Sequence, residues 1–190
     1  MKKSILYFEQ IGAINTEETI RLAYIRAEEL GVTDVVVAST HGGTALKTAE
    51  IFTDPKFNIV AVTISDGYED EGWTMTQEER TRLVAKGINV FTGTHALSGD
   101  VNTAFTNKFG GKSSNEIVAQ TLYRFCQGMK VCVEIVLMAA DAGLISVKRE
   151  VLAIAGSDEG ADTAIIVKPA YPRRFLDLKI LEIVAKPREG

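Results

Sequence analysis

Two cysteines, two histidines and no long hydrophobic run are present in these 190 residues, and each scarcity removes a class of protein. Cys126 and Cys132 stand six apart, a spacing that fits no metal or redox motif and that on one helix points the thiols to opposite sides; they read as core residues in a reducing compartment. Lys and Arg total 21 against 25 Asp and Glu, a net charge of −4, which leaves no electrostatic footprint for nucleic acid or an anionic membrane. The apolar start Ile5 to Phe8 stops at Glu9, too short for a signal peptide. The longest later apolar segment is broken by Glu134, far short of the roughly 18 residues of a membrane span. A cytoplasmic protein is expected, with small molecules or copies of itself as partners.

Familiar motifs are missing as well. There is no G-x-G-x-x-G fingerprint, and Gly111-Lys112-Ser113 fails as a P-loop because Thr106 stands where the earlier glycine belongs and no strand precedes it. No Ser-His-Asp or Cys-His order stands out, and the two histidines have no evident third metal ligand, so no metal is expected.

What remains is an ordinary globular composition, 46% apolar and 24% charged, and a length that implies one domain over residues 1–190. After a strand at Ser4 to Phe8, the stripe Ile20, Ala23, Ala27 and Leu30 predicts a helix over Thr16 to Leu30, capped by Asn15 and stopped by Gly31. A strand Val35 to Ala38, a helix from about Thr44 to Phe52 and a strand Asn58 to Ile64 follow. Tyr68 to Gly72 reads as an acidic loop. Thr76 with Glu79 forms a capping box for a helix carrying Leu83 and Val84, and Ile88 to Phe91 is a further strand. Strands separated by helices imply parallel βαβ units with right-handed crossovers.

From Thr92 to Lys112 the pattern lapses, predicting a long loop with an insertion at about 96–112. Ser113 and Glu116 make a second capping box, for a helix with Val118, Leu122, Phe125 and Met129; Gly128 should separate it from a more apolar helix, Val131 to Ala142. Val151 to Ala155 is a fourth parallel strand. Thr163 to Val167 and Leu178 to Val184, added strands within 163–184, have no crossover helix between them and should pair antiparallel at the sheet edge. The expected fold is a three-layer α/β/α domain with a mixed, mainly parallel sheet and antiparallel edge strands.

The most informative stretch is Val35 to Ala45, where a β-branched run ends in Ser39, Thr40, His41, Gly42, Gly43 and Thr44 and becomes a helix. Such a turn lets backbone approach a ligand and aims free N–H groups at it, and phosphate is the commonest guest. A tight turn in which Ser39 or Thr44 serves only as a cap is the competing reading. Ligands of open α/β sheets sit beyond the strand ends. Here four such ends carry hydroxyls and glycines: Ser39 to Thr44; Thr63, Ser65 and Gly67; Thr94 and His95; and Gly156, Ser157 and Gly160. Together they suggest a rim for a phosphate-bearing, hydroxyl-rich molecule, with the 96–112 segment as a cover. His41 and His95 lie roughly 10 Å apart if their strands flank a third. Both could touch one ligand, and either is a candidate general acid or base. Glu134 and Asp141, seven apart, read as the water-facing stripe of an apolar helix.

The order of parts from Thr16 to Val184 resembles the C-terminal α/β regulatory domain of pyruvate kinase. The likeness rests on the first helix, the Val35-to-Thr44 strand and turn, Ile59-Val60-Ala61-Val62-Thr63, and the Val151-to-Gly160 strand with its Gly-rich loop. In that family the first turn holds a phosphate of a sugar bisphosphate and the late loop closes over it, which implies roles for Ser39, Thr40, Gly43, Thr44, Gly156, Ser157 and Gly160. The chain looks closer still to small stand-alone archaeal members, and that likeness implies bound flavin mononucleotide (FMN). Kinase activity is not implied, since the barrel that carries it in pyruvate kinase has no counterpart here. An enzyme acting on a phosphorylated metabolite or using flavin, and an oligomeric assembly module, are the competing readings.

Overall fold

The computed structural model describes residues 3–190, and its centre is a seven-stranded sheet. In chain order the strands are β1 (Leu6–Phe8), β2 (Asp34–Ala38), β3 (Asn58–Val62), β4 (Asn89–Phe91), β5 (Val151–Ala155), β6 (Thr163–Lys168) and β7 (Lys179–Pro187). They lie side by side as β1-β7-β6-β5-β2-β3-β4. The helices are α1 (Thr16–Leu30), α2 (Gly43–Ile51), α3 (Gln77–Ala85), α4 (Val101–Phe109), α5 (Ser114–Leu122) and α6 (Gln127–Asp141).

Period-two alternation sorts the central strands into two cores. On β2, Val35 and Val37 pack with Ile20 and Ala23 of α1 and Ala45 of α2, while Val36 faces the opposite core with Met129, Val133 and Val136 of α6. β5 divides the same way, Leu152 and Ile154 toward α1, Val151, Ala153 and Ala155 toward α6. The β2–β3, β2–β5 and β3–β4 pairs are parallel, and β5–β6 and β6–β7 are antiparallel. The antiparallel pairing lies toward one edge, as expected, but the outermost place there is taken by β1, which runs parallel to β7 with Leu6 opposite Ala185.

Both capping boxes form, Thr76 with Glu79 and Ser113 with Glu116. Four local expectations are revised. Asn15 precedes α1 without capping it, because its side-chain amide donates to the Gln10 carbonyl at 2.8 Å. The acidic segment is not an open loop, since Asp66–Glu71 winds into 3₁₀ turns. The 96–112 stretch is not a loop throughout; Asp100 accepts from the Thr103 amide and starts α4, a helix with no buried residue. Gly128 does not separate two helices. The break falls at Cys126, and Gly128 lies within α6, where a Cβ would come within 2.2 Å of Thr163 Oγ1. It is there so that α6 can approach β6.

Candidate ligand-binding site

The carboxyl end of β2 feeds a turn built around two glycines with different duties. Gly42 has φ +87°, and a side chain there would meet Leu83 at 3.1 Å, so this position closes the turn. Gly43 opens α2 outside the left-handed region, and the space where its Cβ would sit is clear to 4 Å. Ser39 does act as a cap, its Oγ accepting from the Ala45 amide at 3.2 Å. The first amides of a helix have no intrahelical acceptor, which leaves those of Gly43 and Thr44 able to take an acceptor from outside the helix. Lys47, one turn further along, adds a cation.

A cavity of about 590 Å³ opens in front of this turn. It brings together Ser39, Thr40, His41, Gly43, Thr44, Thr63, His95, Gly156 and Gly160. Of the other residues anticipated for the rim, Gly42, Ser65, Gly67, Thr94 and Ser157 do not line it. Ser65 acts behind it, its amide donating to His95 Nε2 at 3.3 Å. Thr63 Oγ1 lies 2.6 Å from Thr92 Oγ1, which also takes a hydrogen bond from Arg80. The glycines of the late turn are there for packing: a Cβ on Gly160 would come within 2.4 Å of Thr16 Oγ1, and one on Gly156 within 2.6 Å of the Gly160 carbonyl. No residue of the 96–112 segment lines the cavity.

The opposite wall is α6, and sequence reasoning missed it. Lys130, Glu134, Val131, Ile135 and Met138 all face the cavity, with Tyr123 and Gln127 beside them. Glu134 is not water-facing; it is 3% exposed, whereas Asp141 is exposed as expected. Glu134 Oε1 accepts from the Leu97 amide at 2.9 Å and from Ser98 Oγ at 3.1 Å, and Oε2 receives Lys130 Nζ at 2.5 Å. The segment carrying Leu97 and Ser98 covers the helix at this point. The signal that could have found the pair is a Lys and a Glu four residues apart on an otherwise apolar helix, since such charges are seldom buried unless paired.

His41 and His95 have different surroundings. His41 is half exposed, with Nδ1 at 3.3 Å from Glu79 Oε2. His95 stacks on Tyr68, ring centroids 5.9 Å apart, and Tyr68 stacks in turn on Trp73. Burial pushes the His95 imidazole below its ordinary range; the Glu134 carboxylate opposes that shift, the Lys130 ammonium adds to it, and a backbone hydrogen bond with Thr63 opposes it. His95 is therefore neutral at pH 7, with Nε2 as an acceptor, which suits the Ser65 amide. Among the described residues, no group of three or more His, Cys, Asp and Glu side chains could hold a metal ion. No described helix is long and apolar enough to cross a membrane.

A mixed seven-stranded sheet with helices on both faces and a glycine turn at the end of a central strand defines an α/β domain. The family model for the pyruvate kinase alpha/beta domain matches residues 17–167, and the chain belongs to that family. Among solved structures, it is similar to a pyruvate kinase from Cryptosporidium parvum at 12% identity, over 73% of this chain and 20% of that one, with a TM-score of 0.37. It is also similar to a Cryptosporidium parvum pyruvate kinase in complex with ADP, at 14% identity over 90% of this chain and 24% of that one, with a TM-score of 0.39. The chain thus spans about a fifth to a quarter of the length of these enzymes.

Proposed function

We propose that this chain binds a phosphate-bearing, hydroxyl-rich small molecule in the cavity at the carboxyl ends of β2, β3 and β5, with the phosphate against the first turn of α2. One observation carries the reading: the open space at Gly43 lies at the N-terminus of α2 and is flanked by Thr40, Thr44 and Lys47 in the cavity lining. FMN is the ligand proposed first. The cavity volume is in the range of small-molecule sites, and the wall Val131, Ile135 and Met138 offers an apolar face for a ring while hydroxyls line the turn. Bound FMN would supply redox chemistry. The residues themselves hold a phosphate, exclude water from α6 and place the neutral His95 beside the ligand. The proposed role is binding without pyruvate kinase activity.

The test is the absorbance spectrum and mass of whatever molecule copurifies with the protein, followed by calorimetric titration of the stripped protein with FMN and inorganic phosphate. Saturable binding of both, each competing with the other, is expected. No binding of either refutes the site.

A second reading, an enzyme acting on a phosphorylated metabolite, is favoured by His95 lying in the electrostatic reach of a buried Lys and Glu. In that case His95→Ala lowers turnover by about 10²- to 10⁴-fold with little change in affinity. A site that only binds instead loses about 0.5–1.5 kcal/mol of affinity for the one hydrogen bond.

A further inference from the structure

We propose that Lys130 is an imine-forming lysine, whose amine condenses with the carbonyl carbon of a phosphorylated aldehyde or ketone held in the cavity by the α2 turn. The inference rests on the phosphate-binding reading in its general form and names a substrate class for the same site; a flavin offers no aldehyde or ketone carbon for an amine.

Two lysines line the cavity; Lys47 is exposed at the α2 turn, whereas Lys130 is only 4% exposed and so is withdrawn from water yet open to the cavity. Two of its three ammonium hydrogens have acceptors, Glu134 Oε2 at 2.5 Å and Ser98 Oγ at 2.8 Å. The Tyr123 ring lies 5.9 Å from Nζ, at the outer limit of a cation–π contact, and so leaves the third hydrogen available to the cavity. Lys130 helps to tie Ser98 to α6 and pairs with Glu134, but neither contact requires that its amine face the cavity. Leu97 and Ser98 are attached to α6 through Glu134 Oε1 and Ser98 also through Lys130, and a buried ion pair contributes little stability that apolar side chains of similar volume would not. A desolvated lysine next to a proton acceptor is, by contrast, what amine nucleophiles require.

The step balances with the groups present. Glu134 Oε2 takes a proton from the ammonium along the existing hydrogen bond, and the freed nitrogen lone pair attacks the carbonyl carbon. The carbonyl π pair moves to oxygen, giving a carbinolamine. Protons returned from Glu134 and from the new C–N nitrogen leave with that oxygen as water, and the C=N bond forms. Ser98 Oγ, which contacts both Lys130 Nζ and Glu134 Oε1, can relay between them. The net change is ammonium plus carbonyl to iminium plus water, with Glu134 again a carboxylate beside the cation.

The experiment treats the full chain with dihydroxyacetone phosphate or glyceraldehyde 3-phosphate, reduces with sodium borohydride, and maps the products by mass spectrometry. A reduced adduct on Lys130 is expected at near one per chain, suppressed at least tenfold by excess inorganic phosphate and missing with glycerol 3-phosphate, which has no carbonyl. Lys130→Arg keeps the cation beside Glu134 and should lose the adduct. Because the wild-type map alone assigns the site, the test stands even if that variant folds poorly. Adducts confined to exposed lysines such as Lys108 and Lys112, while calorimetry shows inorganic phosphate binding, overturn the imine and leave the phosphate site standing. An adduct on Lys130 that phosphate does not suppress supports the imine and overturns the phosphate site.

Discussion

Helices α2 and α3 are each nine residues long and both bury side chains in the core on the α1 side of the sheet, yet their N-termini are built in opposite ways. At α3 the end is closed by its own sequence. Thr76 accepts from the Glu79 amide and the Glu79 carboxylate accepts from the Thr76 amide, a reciprocal box that also holds the Glu79 carboxyl below its ordinary range. At α2 the N-cap is Gly42, which has no side chain, and the capping hydroxyl comes from Ser39 on the far side of the turn. That hydroxyl reaches Ala45 and leaves the space before Gly43 open. The α3 end is satisfied by its own first turn, whereas the α2 end, which opens on the cavity, is capped only at Ala45.

The sharpest way to break the comparison is Gly43→Asp. The new carboxylate projects into clear space at the first turn of α2, so helix stability should rise by about 0.3–1 kcal/mol. Affinity for inorganic phosphate should fall by about 100-fold, roughly 2.7 kcal/mol, through like-charge repulsion at the same place. Titration calorimetry together with thermal melting reads both signs; phosphate affinity that survives Gly43→Asp removes the guest from α2. Next in size is Gly42→Ala, which forces an L side chain into φ +87° and against Leu83, and should lower stability by about 1–2 kcal/mol in urea denaturation.

Thr76→Ala should cost about 1 kcal/mol of stability with little change in phosphate affinity, since neither residue of the α3 box lines the cavity and only Glu79 touches a lining residue, His41. A parallel loss of affinity would show that the two ends are coupled. The smallest effect concerns His95. Its folded-state pKa is depressed below the unfolded value of about 6.5, so the unfolded chain binds the proton that the folded chain refuses. Stability should therefore be fully present above about pH 7 and decline as pH falls through 6.5 and below. His95→Asn should flatten that decline in melts run from pH 7.5 to 5.5; an unchanged slope would assign the acid sensitivity to other groups.

The parts of this arrangement that were legible in the sequence are those governed by neighbours along the chain. Ser or Thr followed three residues later by Glu marked both capping boxes, and the Val35-to-Thr44 passage marked the strand, the turn and the helix after it. The parts that were not legible depend on what arrives from a distance. Glu134 and Asp141 do share a helix face, but Leu97 and Ser98 cover only the first of them, and no periodicity announces that cover. Gly128 looks like a helix breaker until Thr163 is placed against it. Val101, Phe105 and Phe109 carry the spacing of a helix in α4, yet they remain exposed, and a stripe that packs on nothing is easily mistaken for loop composition.

The pairing of β1 with β7 has a consequence for the order of events in folding. Leu6 finds its backbone partner only in Ala185, far along the chain. Strands β2, β3 and β4 can pair across shorter stretches of chain, but β1 has no strand partner until β7 has been made. Hydrogen exchange begun during refolding should accordingly find the amides of Leu6–Phe8 the last in the sheet to gain protection, and the nascent chain exposes a short, apolar, unpaired edge until β7 emerges to receive it.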